Sequence, residues 1–324
     1  MKITFNTCDP GAPCSDFYIN AFKHCKDVTF FDEQYANYQV ALFMTYDHEK
    51  IESVKKSHPH LKIGIIDPRN YKVFPSTRFC DFIIVDSIEM EDYWRCANLP
   101  IFRYVEYPSF DPVDKRQIDD EYVRIGYHGN GIHLDCMSQN VTPALEELGE
   151  KYKLKLLVMR NGATPQPSDS WYPKNVEVEF QRWSLGGYNN FLSLSDIGIV
   201  PNNLIHNDSD KDKNSTASSF NYSKDDYSLR FKMPSNPGRI VVFGLMGIPV
   251  IADFYPSALQ CLDNKNGFVA HSKAGWKYRL ETLIKNPDLR QESGKRLKSF
   301  VSTEFNFTYQ NQKLKHFLLS LLKR

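Results

Sequence analysis

Two regimes alternate along the N-terminal third of the chain. Short apolar runs, Ile3 to Phe5, Val40 to Met44, Lys62 to Ile66 and Phe82 to Val85, are separated by stretches with helical spacing of apolar positions. Alternation of such runs with helical stretches suits parallel strands joined by helices. The intervening helices supply the crossovers that parallel strands require. The pattern predicts a parallel α/β sheet. Three of the runs end in polar residues, at Thr45-Tyr46-Asp47-His48, Asp67-Pro68-Arg69 and Asp86-Ser87. Such side chains are expected to cap the helices that follow.

Between Pro108 and Asp120 prolines and charges interrupt the rhythm, and we place the domain linker there. A second α/β unit opens with a strand from Val123 to Tyr127 and a helix over Ser138 to Tyr152. Strands at Lys155 to Met159 and Val176 to Phe180, a helix around Tyr188 to Ser193 and a strand from Asp196 to Pro201 follow. Asn202 to Ser228 is polar and poor in apolar anchors, which predicts a long mobile loop. Leu314 to Arg324 reads as an amphipathic helix with a basic polar side. The predicted boundaries are a domain at 1–115, a domain at 116–305 and a closing helix at 306–324.

Lys232 to Asp253 is the most informative stretch. Asn236 suits an N-cap, and Pro237 fits the first helical position with its fixed φ. Gly247 can end the helix in a left-handed conformation before Pro249 blocks continuation. Val250 to Ala252 form a buried strand with Asp253 at its carboxyl edge, where open α/β sheets bind ligands. Amides and the dipole at the helix start attract negative charge, and Lys232 and Arg239 add two cations. A phosphate or diphosphate is the natural occupant.

Composition narrows the class. The chain has 324 residues, the length of two ordinary domains, with 24% charged and 41% hydrophobic residues, a globular balance. A net charge of +1 argues against a nucleic-acid partner, so substrate charge must be met by a few local side chains. Seven cysteines, odd in number and without a Cys-x-x-Cys pair, indicate neither a disulfide framework nor a zinc site. Reduced thiols, the lack of an apolar leader and the lack of a bilayer-length run lead us to expect a cytoplasmic protein.

The Lys232 to Asp253 stretch resembles the donor-site region of GT-B glycosyltransferases, especially the nucleotide-sugar-dependent bacterial enzymes that decorate surface polysaccharides. In many of these a Lys, Ser/Asn and Arg cluster leads into a helix ending Gly-x-Pro-Val-Ile-Ala. Here the cluster is Lys232, Ser235, Asn236 and Arg239, followed by Gly247-Ile-Pro-Val-Ile-Ala. Asn264-Lys-Asn-Gly267-Phe-Val-Ala, Trp276 and Asn286-Pro-Asp-Leu-Arg290 through Phe305-Asn306 resemble that domain's end. The resemblance covers roughly the C-terminal two-thirds of the chain. It implies an α/β fold of two Rossmann-like domains facing a cleft. Acceptor would lie on the N-terminal strand edges and donor in the second domain, with the last helix packed back on the first. Any membrane contact would be peripheral. The implied activity is transfer of a sugar from a nucleotide diphosphate-sugar to a glycan or lipid-linked acceptor, in surface polysaccharide assembly.

Within that frame, Tyr127-His-Gly-Asn-Gly131 and His133 occupy the region where such donors place their phosphates. Glycines there let backbone approach a ligand closely. His128, Gly129, Asn130 and His133 stand where the family pattern has an Arg and a Lys, so donor charge falls to Arg230, Lys232 and Arg239. The Asn202 to Ser228 loop is expected to border the active site. Gln181-Arg-Trp-Ser184 falls in the loop that meets the nucleotide base, with Trp183 available to stack or to pack in the core. Pro234 and Val242 replace the glutamates of many retaining members, which leaves the stereochemistry open. Asp9, Asp67 and His128 are the candidate bases for acceptor deprotonation. No Asp-x-Asp pair follows a strand, and Asp208-Ser-Asp210 lies in the polar loop, so neither a metal nor another cofactor is expected. The alternatives are an inactive nucleotide- or glycan-binding scaffold of this fold and a related transferase of another phosphate-linked group.

Overall fold

A computed structural model describes residues 1–46, 48–68, 74–184, 186–202 and 236–323, and only the backbone of Pro13 and Phe74. The expected loop beyond Asn202, with Asp208 and Asp210, lies outside the described residues, as do Arg230, Lys232 and Ser235. The chain forms two compact units.

The first unit comprises described residues 1–109, 236 and 304–323. Its strands are β1 (Ile3–Thr7), β2 (Val28–Phe30), β3 (Val40–Met44), β4 (Lys62–Ile66), β5 (Phe82–Val85) and β6 (Ile101–Arg103). They form one six-stranded sheet, ordered β2-β1-β3-β4-β5-β6 and parallel at every pairing. The unbroken apolar runs now have their cause. Val40, Leu42 and Met44 pack on one face with Phe17, Tyr18 and Phe22 of the helix Pro13–Lys23 and Leu314, Leu318 and Leu321 of the helix Phe307–Leu322. Ala41 and Phe43 pack on the other face with Ile51, Val54, Met90 and Trp94. Buried amides fasten the C-terminal helix: Gln310 Oε1 accepts from Val105 N–H at 2.7 Å, and Asn311 Oδ1 accepts from the Tyr104 hydroxyl at 3.0 Å.

The second unit comprises described residues 110–202 and 237–303. Its strands are β7 (Val123–His128), β8 (Leu154–Arg160), β9 (Glu177–Arg182), β10 (Ile197–Val200), β11 (Val250–Asp253) and β12 (Gly267–Ala270). The order is β12-β11-β10-β7-β8-β9, again parallel throughout. The helix Gly238–Leu245 is buried from Ile240 to Leu245, and its all-apolar circumference fits a position inside the core. Gly247, at φ 73°, closes it as read from the sequence. The Gly247 N–H donates to Gly244 O at 2.9 Å and the Ile248 N–H to Phe243 O at 3.0 Å, the paired bonds of a Schellman ending.

Several local expectations need correction. The buried helix starts one residue later than expected, because Pro237 rather than Asn236 occupies the N-cap position. The Asn236 amide is engaged elsewhere, donating to the buried Asp86 carboxylate at 2.9 Å. The single helix expected over Ser138 to Tyr152 is instead a short helix Gly131–Asp135, a 3-10 turn Cys136–Gln139 and a helix Val141–Gly149. Asn130 starts the first of these early, and Asn140, at φ −124°, breaks the continuation. Of the expected strand-end caps, Ser87 caps the helix Ile88–Trp94, its Oγ accepting from Met90 N–H at 3.2 Å. Asp47 and residues 69–73, which follow Pro68, lie outside the described residues; Thr45 and Asp67 beside them have left-handed backbone conformations, at φ 66° and 45°.

Candidate functional site

In the second unit the chain fills one side of the sheet with β8 and β9 before crossing to β10, β11 and β12 on the other. The connections from β7 and from its neighbour β10 therefore leave in opposite directions. A crevice opens beyond the carboxyl ends of two such strands. His128 to Gly131 and Pro201-Asn202 emerge there.

The loop after β7 is shaped by three contacts. Gly129 has φ 139°, a conformation closed to residues with a Cβ. A Cβ at Gly129 would lie 3.1 Å from Arg239 Cδ and 3.3 Å from the Tyr127 hydroxyl, so its absence lets the Arg239 stem lie on the loop. The Tyr127 hydroxyl donates to Asn130 O at 2.6 Å, and Asn130 Oδ1 accepts from Ile132 N–H at 3.2 Å.

Arg239 is fixed from the other side of the crevice. Its Nη1 donates to Pro201 O at 3.0 Å and its Nη2 to Asn202 Oδ1 at 3.3 Å. Asn202 is itself held, its N–H donating to Asp253 Oδ2 at 2.6 Å, while the Trp276 indole N–H donates to Asp253 Oδ1 at 2.9 Å. Asp253, only 4% exposed, thus braces the turn after β10 that orients Arg239. None of these bonds is local in sequence. Sequence spacing does not pair Asn202 and Trp276 around Asp253.

His128 ends β7 and is 4% exposed, wedged edge-on between Tyr188 and Phe243 at ring-centre distances of 5.3 and 5.1 Å. Its Nε2 lies 3.3 Å from Arg239 O. A carbonyl oxygen only accepts, so the ring carries its hydrogen on Nε2 and ties β7 to the first turn of the buried helix. Burial first, and the Arg239 charge second, push its pKa down to about 3. The ring is neutral at neutral pH and a weak base. Because the folded value lies below that of the unfolded chain, the unfolded state takes up the proton first as pH falls. Stability linked to this group is complete above about pH 6.5 and drains away towards pH 3. Between pH 6.5 and 5 urea unfolding should register a loss of about 1–2 kcal/mol from this group. His128→Gln keeps a donor for Arg239 O and should flatten that part of the pH profile; an unchanged slope would contradict the assignment.

The remaining candidates are placed as follows. His133 is buried in the short helix Gly131–Asp135. Trp183 follows β9, half-buried, its indole N–H donating to the Tyr188 hydroxyl at 2.8 Å; Tyr188 in turn stacks on Phe110 at 4.9 Å. Asn236 groups with the first unit through Asp86. Arg160, at the carboxyl end of β8, went unnoticed in the sequence. Its Nη1 lies 3.0 Å from where a Cβ on Gly131 would stand, against the same loop that Arg239 borders.

Asp9 and Asp67 belong to the first unit, after β1 and β4. The Asp9 carboxylate side is exposed, and its N–H donates to Thr7 Oγ1 at 3.3 Å. Thr7 Oγ1 also bonds Ser15 Oγ at 3.1 Å and Thr45 Oγ1 at 3.0 Å, joining the ends of β1 and β3 at that sheet's own reversal point. Thr45 is β-branched, so its positive φ is a strained conformation. Burial, reinforced by Asp67 and Glu106, pushes the Cys14 thiol up to about 11, which leaves it protonated. Among the described residues no His, Cys, Asp or Glu side chains group to hold a metal, and no helix is long and apolar enough to cross a membrane.

A cavity of about 560 Å³ opens at the opposite, amino-terminal edge of the second sheet, lined in part by Asp114, Arg124, Asp196 and Arg290. Three of its cations are paired, Lys115 with Asp196 at 2.5 Å, Arg124 with Asp120, and Lys298 with Asp114, while Arg290 donates to the Leu283 and Ile284 carbonyls. The carboxyl edge has the chemistry suited to an anion.

No protein-family model matches the chain, and no curated protein matches it by sequence. Solved structures match it along its length. HepE of Anabaena, in complex with UDP and glucose, superposes with a TM-score of 0.62 at 12% identity, over 99% of this chain and 100% of that one. Sucrose-phosphate synthase of Thermosynechococcus elongatus gives 0.64 at 12% identity, over 100% of both chains. A glycosyltransferase of Rickettsia africae gives 0.62 at 10% identity, over 100% of this chain and 99% of that one. At these identities the likeness is one of fold. The chain has the GT-B glycosyltransferase fold, with two parallel six-stranded α/β sheets.

Proposed function

We propose that this protein is a glycosyltransferase that moves a sugar from a nucleoside diphosphate-sugar to a glycan or lipid-linked acceptor in polysaccharide assembly. The observation that carries the reading is Arg239, braced through Asn202, Asp253 and Trp276 and laid across a glycine loop at the reversal point of a parallel sheet. Among proteins of this fold, HepE is solved with UDP-glucose and TarM of S. aureus with UDP and α-GlcNAc-glycerol. In our reading the donor diphosphate lies between Gly129 to Gly131 and the start of the helix Gly238–Leu245, with Arg230, Lys232 and Ser235 joining Arg239.

The acceptor oxygen forms the new bond to the anomeric carbon, whose bond to the diphosphate oxygen breaks. Charge grows on the leaving diphosphate, and cations held in place before reaction stabilise it without a metal. If the reaction inverts, the acceptor proton passes to a carboxylate, Asp9 or Asp67. We assign His128 to holding the helix start, because a ring of pKa about 3 is a poor proton acceptor.

Radiolabelled UDP-, GDP-, ADP- and CDP-sugars, assayed with and without a chelator, test the proposal. Transfer or hydrolysis of one donor, undiminished by the chelator, is the expected result. Nucleotide binding without turnover would make the chain a scaffold, and turnover of a nucleotide-linked polyol alone would make the transferred group a polyol phosphate.

A further inference from the structure

The phosphate site proposed above leans on Arg239 among the described residues, yet a second guanidinium borders the same loop. Arg160 is the last residue of β8, the strand paired with β7 through Met159 and His128. Its Nη2 donates to Ala163 O at 3.2 Å, and its guanidinium lies over the Trp171 ring at 6.0 Å from the centre. Its Nη1 sits 3.0 Å from where a Gly131 Cβ would stand and 3.5 Å from where a Gly162 Cβ would stand. The chain therefore approaches this cation with glycine on two sides.

Arg160 is not ion-paired: among the described residues no carboxylate is within ion-pair distance of it, whereas Arg124 in the neighbouring strand is paired with Asp120. Its Nε is buried and has no hydrogen-bond partner. The Nε lies too deep for a ligand to reach, so an anion would meet the guanidinium at the Nη1 edge that lies against Gly131. The Tyr127 phenol, whose hydroxyl supports the loop through Asn130 O, feels the positive charge of both Arg239 and Arg160. The two cations thus flank one short loop, Arg239 against Gly129 and Arg160 against Gly131.

We propose that Arg160 is a second diphosphate-binding residue, clamping the donor phosphates against the Gly129 to Gly131 loop from the side opposite Arg239. This rests on the donor-site reading above and supplies a cation that the loop's own sequence, with His128, Asn130 and His133, does not. A planar guanidinium fits two phosphate oxygens at once, which a lysine cannot reproduce.

The test is calorimetry of the full chain with UDP, GDP, ADP and CDP, then with whichever binds best and its parent nucleoside. Arg160→Gln should weaken the diphosphate about 10- to 100-fold while leaving the nucleoside affinity unchanged, and Arg160→Lys should recover part of the loss. Arg160→Met keeps an unbranched stem near Trp171 and should reproduce the selective loss if the Gln variant does not fold. Equal affinity of the Arg160 variants and the unaltered protein for the diphosphate overturns the proposal and spares the functional reading. Equal losses for nucleoside and diphosphate overturn it in favour of a purely structural arginine. An unaltered protein that binds none of the four diphosphates overturns the functional reading and this proposal with it.

Discussion

Arg239→Ala should bind nucleoside diphosphate about 100-fold more weakly than the unaltered protein, with turnover falling at least as far. A charge-assisted bond to phosphate contributes about 1.5–3 kcal/mol, and a guanidinium held in place before binding loses little entropy in making it. The preorganisation is visible in the bonds to Pro201 O and Asn202 Oδ1 and in the stem lying over Gly129. The variant should unfold at a lower temperature as well, since those two oxygens lose their donor. Arg239→Lys keeps the charge and loses the fork that reaches both oxygens, so it should fall between the two. Calorimetry separates the outcomes, and unchanged diphosphate affinity in Arg239→Ala would remove Arg239 from the site.

Asp253→Ala should be the most destabilising single change in the second unit's site, at about 2–6 kcal/mol. Both carboxylate oxygens accept from buried donors, Asn202 N–H and the Trp276 indole. Alanine leaves both donors without an acceptor, each at a cost of about 1–3 kcal/mol. The effect should reach the ligand as well, because Asn202 is the brace of Arg239. Urea unfolding gives the stability change. Diphosphate affinity, measured where the variant is still folded, should fall with it. A variant as stable as the unaltered protein would show that the Trp276, Asp253 and Asn202 chain carries no strain of positioning.

These effects were unevenly legible in the sequence. The unbroken apolar runs of β3 and β5 revealed a parallel sheet because both its faces are covered, whereas β1 keeps Thr4, Asn6 and Thr7 buried and polar. Gly247-Ile-Pro-Val signalled a helix end and a new strand, since a left-handed residue followed by proline admits little else. The edge strands β2, β6 and β12 escaped notice. Val28–Phe30 and Ile101–Arg103 are only three residues each, too short for a periodicity to emerge, and Gly267–Ala270 directly follows the turn-forming Asn264-Lys-Asn run, which masks its start. Asn236 read as a helix cap because capping is a local inference, and a buried carboxylate distant in sequence, Asp86, claimed its amide instead.

The site divides in the same way. The Gly129-Asn130-Gly131 loop and Arg239 were found because glycine after a strand and a cation at a helix start are local patterns with few other causes. Arg160 was passed over because an arginine closing a strand usually points to water. Only the fold shows it against Gly131 with no carboxylate beside it. The bonds that join Asn202, Asp253 and Trp276 span long stretches of chain and have no counterpart in spacing.

The most direct test of the central claim is an experimental structure of the protein soaked with a mixture of UDP, GDP, ADP and CDP. The account predicts one nucleotide with its diphosphate at the carboxyl ends of β7 and β10, within hydrogen-bond distance of the Arg239 guanidinium and beside Gly129 to Gly131. A nucleotide bound elsewhere, or one whose phosphates point away from Arg239 and that loop, would contradict it.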